Sequence, residues 1–127
     1  MLNRSVALLL GSCSVCILSI LCLGCGQQAA SYQVTRIVSP NDSLEAILTE
    51  TNAGASVSLG YEVSIGPKGA KKGDPVASLY GAIRNEQAYG VKLSWANDHI
   101  LRVQYLRAKA IQNVVKTINV HGQQVEV

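Results

Sequence analysis

The distribution of cysteine constrains this chain more than any other feature of its sequence. All four cysteines lie within the first 25 residues, and none occurs from Gly26 to Val127. The segment after Cys25 therefore has no disulfide, no thiol nucleophile and no cysteine-ligated zinc site. It must fold through packing and strand pairing alone. Its length suits one domain with one modest core.

The first residues have the pattern of an export signal. Arg4 precedes an uncharged run from Val6 to Gly24, and the chain becomes polar at Gln27. Secretion machinery recognises a basic start, an apolar run and small residues near a cleavage point. The run is also long enough for a marginal transmembrane helix, because about 20 apolar residues span a bilayer. Its length alone does not separate these two hypotheses.

The end of the run, Leu23-Gly24-Cys25-Gly26, resembles a bacterial lipoprotein signal, in which a small residue directly precedes the cysteine. The resemblance implies that Cys25 becomes the mature N-terminus and carries acyl chains, which provide a stable membrane anchor. The alternatives are an uncleaved anchor helix and a cleaved signal peptide without lipid. Position 26 is not the Asp that commonly retains enteric lipoproteins at the inner membrane. We therefore expect a location in the bacterial cell envelope, on the outer membrane rather than the inner one.

These features predict three segments and a soluble mature part. A lipoprotein signal peptide covers 1–24, a lipidated tether covers 25–31, and a β-rich domain covers 32–127. The net charge of the whole chain is only +3 at pH 7, with no long run of either sign. Nucleic-acid binding needs clustered basic residues that displace counterions from phosphates, so we expect no nucleic-acid partner.

Strand patterns dominate the chain from Tyr32 onwards. Tyr32 to Val38 is rich in β-branched and aromatic residues, and residues 56–65 alternate apolar and polar side chains along their whole length. Further strands are predicted at 76–84, 91–96 and 101–105, with one or two closing strands in 112–127. The sequence thus predicts an all-β fold, a small antiparallel sheet or sandwich-like meander of about six to seven strands after an N-terminal signal helix.

Residues 43–52 are compatible with two structures. Ser39 as N-cap, Pro40 at the first helical position and apolar residues at helical spacing favour a helix over 40–52, which would make the fold α+β. The same residues can also form an extended strand after a tight turn. Three stretches resemble a family of small bacterial lipoproteins and membrane-anchored proteins of unknown function: 39–48, 61–65 and 95–105. In that family the segment after Ser-Pro is a strand, so we favour the strand.

The sequence contains no constellation that indicates catalysis. The two histidines, His99 and His121, lack the short spacing that places two metal ligands on one element. Loop 66–73 lacks the spacing of a phosphate-binding loop, and the resembling family has no established catalytic residues to carry over. We therefore predict no catalytic residue, no cofactor and no metal site. The alternative is an enzyme or accessory protein acting on cell-wall or glycan substrate, which would usually need two positioned carboxylates.

Five residues are candidates for contact with a partner. Lys68, Lys71 and Lys72 lie in the loop after residue 66 and could touch anionic lipid headgroups. Trp95 and Tyr105 are expected on the core face of a hairpin, and would be interface residues if exposed. The sequence therefore predicts a binding or structural module, not an enzyme. Its partners would be the membrane, through acyl chains, and another envelope protein or a ligand, through strand addition or surface contact.

Overall fold

Alternating apolar and polar side chains make the described chain a β-protein. The computed structural model describes residues 29–84 and 90–127, and within these ranges it has nine strands and no helix. The predicted signal segment 1–24, the predicted lipidation site Cys25 and the predicted tether up to residue 28 lie outside the described residues, as do positions 85–89. No helix in the described ranges has the length and apolar character that crossing a bilayer requires.

The strands follow one another along the chain with short connections. They are β1 (Ala30–Val38), β2 (Leu44–Asn52), β3 (Gly60–Pro67), β4 (Asp74–Tyr80), β5 (Val91–Asn97), β6 (Ile100–Tyr105), β7 (Ala110–Gln112), β8 (Thr117–Val120) and β9 (Gln123–Glu126).

The strands form two sheets that pack face to face. The first sheet has the order β1-β2-β3-β4-β7 and the second has the order β5-β6-β9-β8. All neighbours are antiparallel except β6 and β9, which are parallel and share a single pair, Ile100 opposite Glu126. This sandwich confirms the predicted all-β class. The described part has nine strands instead of six to seven, since residues 110–127 form three short strands where one or two were predicted.

The ambiguous segment forms the central strand β2, and the helix alternative is wrong. The predicted N-cap, Ser39, does accept a backbone N–H through its Oγ, but from Leu44 at 3.0 Å, where a strand begins. The N–H of Asp42 also donates to the Ser39 carbonyl at 2.9 Å, which closes a tight turn instead of a first helical turn. Pairing with β1 on one edge and β3 on the other then outweighs the local helix signals.

The core lies between the sheets, and β2 is buried on both faces. Its inward-facing residues pack with those of β3 and β4 against the second sheet. Trp95 of β5 is half-buried against this core, and its indole N–H donates to the Ile37 carbonyl of β1 at 3.1 Å. The fully buried apolar side chains include Leu44, Leu48, Tyr61, Val63, Ile65, Val76, Leu79, Leu101 and Val125.

The strand register defines two ends of the sandwich. Ala30 lies opposite Asn52, and Gly60 lies opposite Tyr80, so the start of β1 shares one end with loops 53–59, 81–84 and 106–109. We call this the proximal end. The distal end carries turns 39–43 and 98–99 and loop 68–73, with the Asn41 N–H donating to Asp98 Oδ1 at 2.6 Å.

Candidate functional site

An apolar groove opens on one side of the sandwich, where the two sheets part. Its volume is about 460 Å³. One wall is β6, the other is β7 with Val114, and the floor comes from β4. The lining residues are Ala77, Leu79, Ile100, Leu101, Arg102, Val103, Gln104, Tyr105, Ile111, Val114, Glu126 and Val127.

The groove exists because β9 is short. β5 pairs with β6 along its length, whereas β9 reaches β6 only at Ile100, opposite Glu126. Beyond that pair, no strand of the described chain covers this edge of β6. β7 likewise pairs with β4 on one edge, and no described strand pairs with its other edge. Two open strand edges therefore flank an apolar floor, an arrangement that accommodates an elongated guest.

Main-chain hydrogen bonds position the segments that border the groove at both ends. At the distal side the Val115 N–H donates to the Val76 carbonyl at 2.8 Å, and the Val127 N–H donates to the Lys116 carbonyl at 2.9 Å. At the proximal side the Lys109 N–H donates to the Tyr80 carbonyl at 2.9 Å. These bonds tie the segments around the groove to both sheets, so the cavity is preformed.

Large apolar side chains remain exposed around the groove. Leu106 is 81% exposed, Val114 53% and Tyr105 44%, and Ile111 is also exposed. Single exposed apolar residues are ordinary on protein surfaces, but a cluster around one concave site marks a candidate binding surface. This clustering separates the groove from the scattered exposed residues elsewhere.

The charge around the groove is predominantly positive. Arg102 lines it, Arg107 and Lys109 lie in the loop at its proximal end, and Lys116 lies in the segment that crosses its distal end. No Asp or Glu occurs between His99 and Val125 in the sequence. Glu126, at the distal end, is the acidic member of the lining. The groove therefore combines an apolar floor with a basic rim.

A second cluster surrounds the buried carboxylate of Glu50, towards the proximal end. Tyr32, Glu50 and Tyr61 lie opposite one another on β1, β2 and β3. The Tyr32 hydroxyl donates to Glu50 Oε1, and the Tyr61 hydroxyl donates to Oε2 at 2.5 Å. Arg84 Nη1 donates to Oε1 at 3.3 Å. The carboxylate is 0% exposed and is held from three directions.

This cluster acts as a clamp between strands. Both oxygens of Glu50 are engaged, and Arg84 compensates the buried charge. Burial, together with the hydrogen bond to Glu50, raises the pKa of Tyr61 to about 12, so its hydroxyl remains a donor at neutral pH. Within the described ranges every buried side-chain nitrogen or oxygen has a hydrogen-bond partner. Because Glu50 is fully buried, its carboxylate is shielded from molecules in solution.

The other buried carboxylate, Glu45, faces away from Glu50. Successive side chains of a strand alternate between its two faces, and residues 45 and 50 are an odd number of positions apart. Their side chains therefore lie on opposite faces of β2. Glu45 pairs with Arg36 and accepts the Gly69 N–H at 3.1 Å. Burial opposes ionisation, but these hydrogen bonds and nearby positive charges hold the pKa of Glu45 below its usual value. The two buried carboxylates cannot act together on one glycosidic bond.

The lysine-rich loop lies at the distal end and is tied down there. Arg36 Nη1 donates to the Ala70 carbonyl at 2.8 Å, which holds the loop over β2. Lys68 pairs with Asp42 of the β1–β2 turn at 2.5 Å, whereas Lys71 and Lys72 are exposed. These lysines are at the opposite end of the sandwich from the start of β1, and none of them lines the groove.

The structure separates the two aromatic candidates. Trp95 joins β5 to β1 and packs on the core, while Tyr105 lies exposed in the groove. Sequence reasoning missed Leu106, Ile111 and Val114. A sequence signal that could have indicated them is the run from Tyr105 to Lys116. Basic and apolar residues occur there together, but they do not alternate as they would in a strand with one buried face.

The histidines lie outside the groove. His99 Nδ1 is 3.0 Å from the Gln124 carbonyl, and His121 is exposed in a turn with a positive φ of 50°. Residues 29–84 and 90–127 contain no group of three or more His, Cys, Asp or Glu side chains that could hold a metal ion. The chain matches none of the family models, curated proteins or solved structures with which it was compared. The function must therefore be inferred from the geometry of its own surface.

Proposed function

We propose that this chain is a lipid-anchored protein of the bacterial cell envelope, on the outer membrane, and that its β-sandwich is a binding module without catalysis. The groove between β6 and β7 is the binding site, and its ligand contributes an elongated apolar part. The observation that carries the proposal is the preformed groove of about 460 Å³ with an apolar floor and exposed apolar walls. Ligand sites commonly have volumes of roughly 300 to 1,000 Å³ and are lined mainly by apolar side chains.

The arrangement of the groove supports binding better than catalysis. Its floor residues, Ala77 and Leu79, belong to the core and offer no titratable group. The buried carboxylates, Glu45 and Glu50, are committed to the structural contacts described above. An apolar guest therefore gains free energy by covering the floor, about 25 cal/mol for each Å² of apolar surface removed from water.

The anchor is tested by the intact mass of the protein purified from its native membrane. We expect a mass that corresponds to residues 25–127 plus acyl chains, and loss of the acylated form in Cys25→Ala. A mass that retains residues 1–24 would indicate a membrane-spanning anchor. An unacylated soluble product would contradict the lipid anchor.

The groove is tested with aliphatic photoprobes on the full chain reconstituted in nanodiscs of zwitterionic lipid. The probes are a fatty acid and a fatty alcohol of equal length, each carrying a diazirine on the chain, and peptide mass spectrometry locates the crosslinks. We expect labelling of residues 100–116 to exceed that of loop 53–59, and Val114→Asp to reduce it severalfold. Val57→Asp is the matched control, since Val57 is also an exposed valine but lies outside the groove. Equal labelling of both segments by both probes, unchanged in Val114→Asp, would contradict a groove that binds apolar ligands.

A further inference from the structure

The charged residues at the rim of the groove indicate the chemical class of the ligand, which the apolar floor alone does not. Arg102 forms part of one wall, Arg107 lies in the proximal loop, and Lys116 lies in the distal crossing segment. All three side chains are exposed. Positive charge therefore occurs along one wall and at both ends of an apolar cavity.

We propose that the ligand of the groove is an anionic amphiphile, with an aliphatic chain that lies on the floor and a phosphate or carboxylate head that contacts the basic rim. This inference rests on the proposed function, because it names the chemical class of the ligand for the same site. An uncharged extended peptide or a neutral lipid would use the apolar floor but would leave the cations of the rim without a counterpart. Charge complementarity therefore favours the anionic head over both.

The single acidic lining residue orients the ligand. Glu126 lies at the distal end of the groove, opposite Ile100, and offsets the positive charge of Lys116 there, so the distal end offers an anion no net attraction. Arg107 lies at the proximal end, where its carbonyl accepts the Ile83 N–H at 2.9 Å and fixes the backbone of the loop. The anionic head therefore lies at the proximal end, near Arg107, and the aliphatic chain runs towards the distal end.

This orientation agrees with the position of the proposed anchor. β1 begins at Ala30, at the same proximal end. Five residue spacings separate Cys25 from Ala30, and an extended chain covers at most about 18 Å over that length. An acylated Cys25 therefore keeps the proximal end near the bilayer surface, where anionic amphiphiles reside.

The test compares the photoreactive fatty acid with the matched fatty alcohol in the same nanodiscs. Labelling of residues 100–116 is divided by labelling of loop 53–59, which corrects for the different partitioning of the two probes. We expect the corrected labelling by the acid to exceed that by the alcohol about three- to tenfold, which corresponds to one or two exposed charge contacts. High salt should remove this preference without removing the labelling by the alcohol.

Two variants with the same loss of charge distinguish attraction of the probe by the rim cations from attraction by the net charge of the chain. Arg102→Gln/Arg107→Gln removes two cations from the rim, and Lys71→Gln/Lys72→Gln removes two exposed cations from the distal loop. The first should abolish the preference for the acid and the second should preserve it. Equal reduction in both variants would show that net charge, and not the rim, attracts the probe, and would overturn the inference.

The outcomes also separate this inference from the proposed function. If the acid and the alcohol label the groove equally in the unmodified chain, the groove binds apolar ligands but the anionic class is wrong. If neither probe labels the groove above loop 53–59, the proposed function fails and the inference fails with it. Circular dichroism of each variant shows whether the sandwich is retained, so loss of folding is not mistaken for loss of binding.

Discussion

The two sides of the sandwich are joined in different ways. On the side of β1 and β5, side chains connect the sheets and strands: Trp95 donates to the Ile37 carbonyl, and Glu50 holds two tyrosines and Arg84. On the side of β7, main-chain hydrogen bonds of the crossing segment at Val115 and Val127 join the sheets, and the side chains between them line a groove. Directional side-chain bonds hold one side, while apolar side chains remain uncovered on the other.

Because of this difference, the residues that stabilise the fold and the residues proposed to bind a ligand lie on different sides of one small domain. The β1 side contains buried polar groups whose partners cannot be removed without leaving a group unsatisfied, which is costly. The β7 side contains exposed apolar groups whose replacement leaves no orphaned partner. Substitutions on the first side should therefore reduce the free energy of unfolding, and substitutions on the second should change ligand binding instead.

The largest effect is expected at Glu50. Glu50→Ala leaves the buried Tyr61 hydroxyl without its acceptor and leaves a cavity where a fully buried side chain was. We expect a loss of about 3 to 4 kcal/mol in the free energy of unfolding, because the unsatisfied buried hydroxyl and the cavity both destabilise the fold. Chemical denaturation followed by fluorescence of the single tryptophan measures it. Glu62→Ala, an exposed carboxylate next to Tyr61 in sequence, should change stability by less than about 0.5 kcal/mol. Similar losses in both variants would contradict the clamp.

A slightly smaller effect is expected at Trp95. Trp95→Ala removes an indole packed on the core and its hydrogen bond to Ile37, and we expect a loss of about 3 kcal/mol. The matched aromatic on the other side is Tyr105, which is exposed, and Tyr105→Ala should cost about 1 kcal/mol or less. Thermal unfolding followed by circular dichroism suits both variants, because one of them lacks the fluorophore. Equal costs would mean that the two sides of the sandwich do not differ as described.

The third prediction concerns Tyr61 at alkaline pH. Its pKa is raised from 10.0 to about 12 in the folded chain by burial and by the hydrogen bond to Glu50. A group whose pKa is higher in the folded state stabilises the fold below its unfolded pKa, and this contribution disappears as the pH rises through the folded pKa. Stability should therefore fall between about pH 10 and pH 12. Tyr61→Phe should be less stable at neutral pH, by about 1 to 2 kcal/mol, and should show a shallower alkaline decline. If stability declines as steeply at alkaline pH in Tyr61→Phe as in the unmodified chain, the decline is caused by other groups.

Local patterns predicted most of the fold. The alternation in residues 56–65 and the hairpin predicted from strands 91–96 and 101–105 correspond to β3, β5 and β6, since side-chain period and turn chemistry are properties of neighbouring residues. Residues 44–52 were ambiguous because Ser39 and Pro40 favour a helix locally. Their pairing with β1 and β3 is not local, and it determines the strand. The sequence did not predict three separate strands after residue 109, because each strand is too short to show a side-chain period.

The sites were less predictable, since they depend on register. Tyr32, Glu50 and Tyr61 each look ordinary in the sequence, and only the alignment of three strands brings them together. The groove depends on β9 meeting β6 at a single pair, which no local pattern encodes. Tyr105 was a candidate by its residue type, yet its exposure follows from the missing neighbour of β6. The lysines of loop 68–73 were candidates by composition, and the fold places them outside the lining of the groove.

The smallest effect on stability, and the sharpest contrast with Glu50, is expected at Val114. Its side chain is exposed on the wall of the groove, so Val114→Asp buries no charge and should change the free energy of unfolding by less than about 0.5 kcal/mol. The same change places a negative charge against the aliphatic chain of a bound ligand and should reduce photoprobe labelling severalfold. Val57→Asp should alter neither quantity. If Val114→Asp unfolds the sandwich, the wall of the groove is part of the stabilising core, and the division between a stabilising side and a binding side fails. If it leaves both stability and labelling unchanged, the groove is not where the aliphatic chain lies.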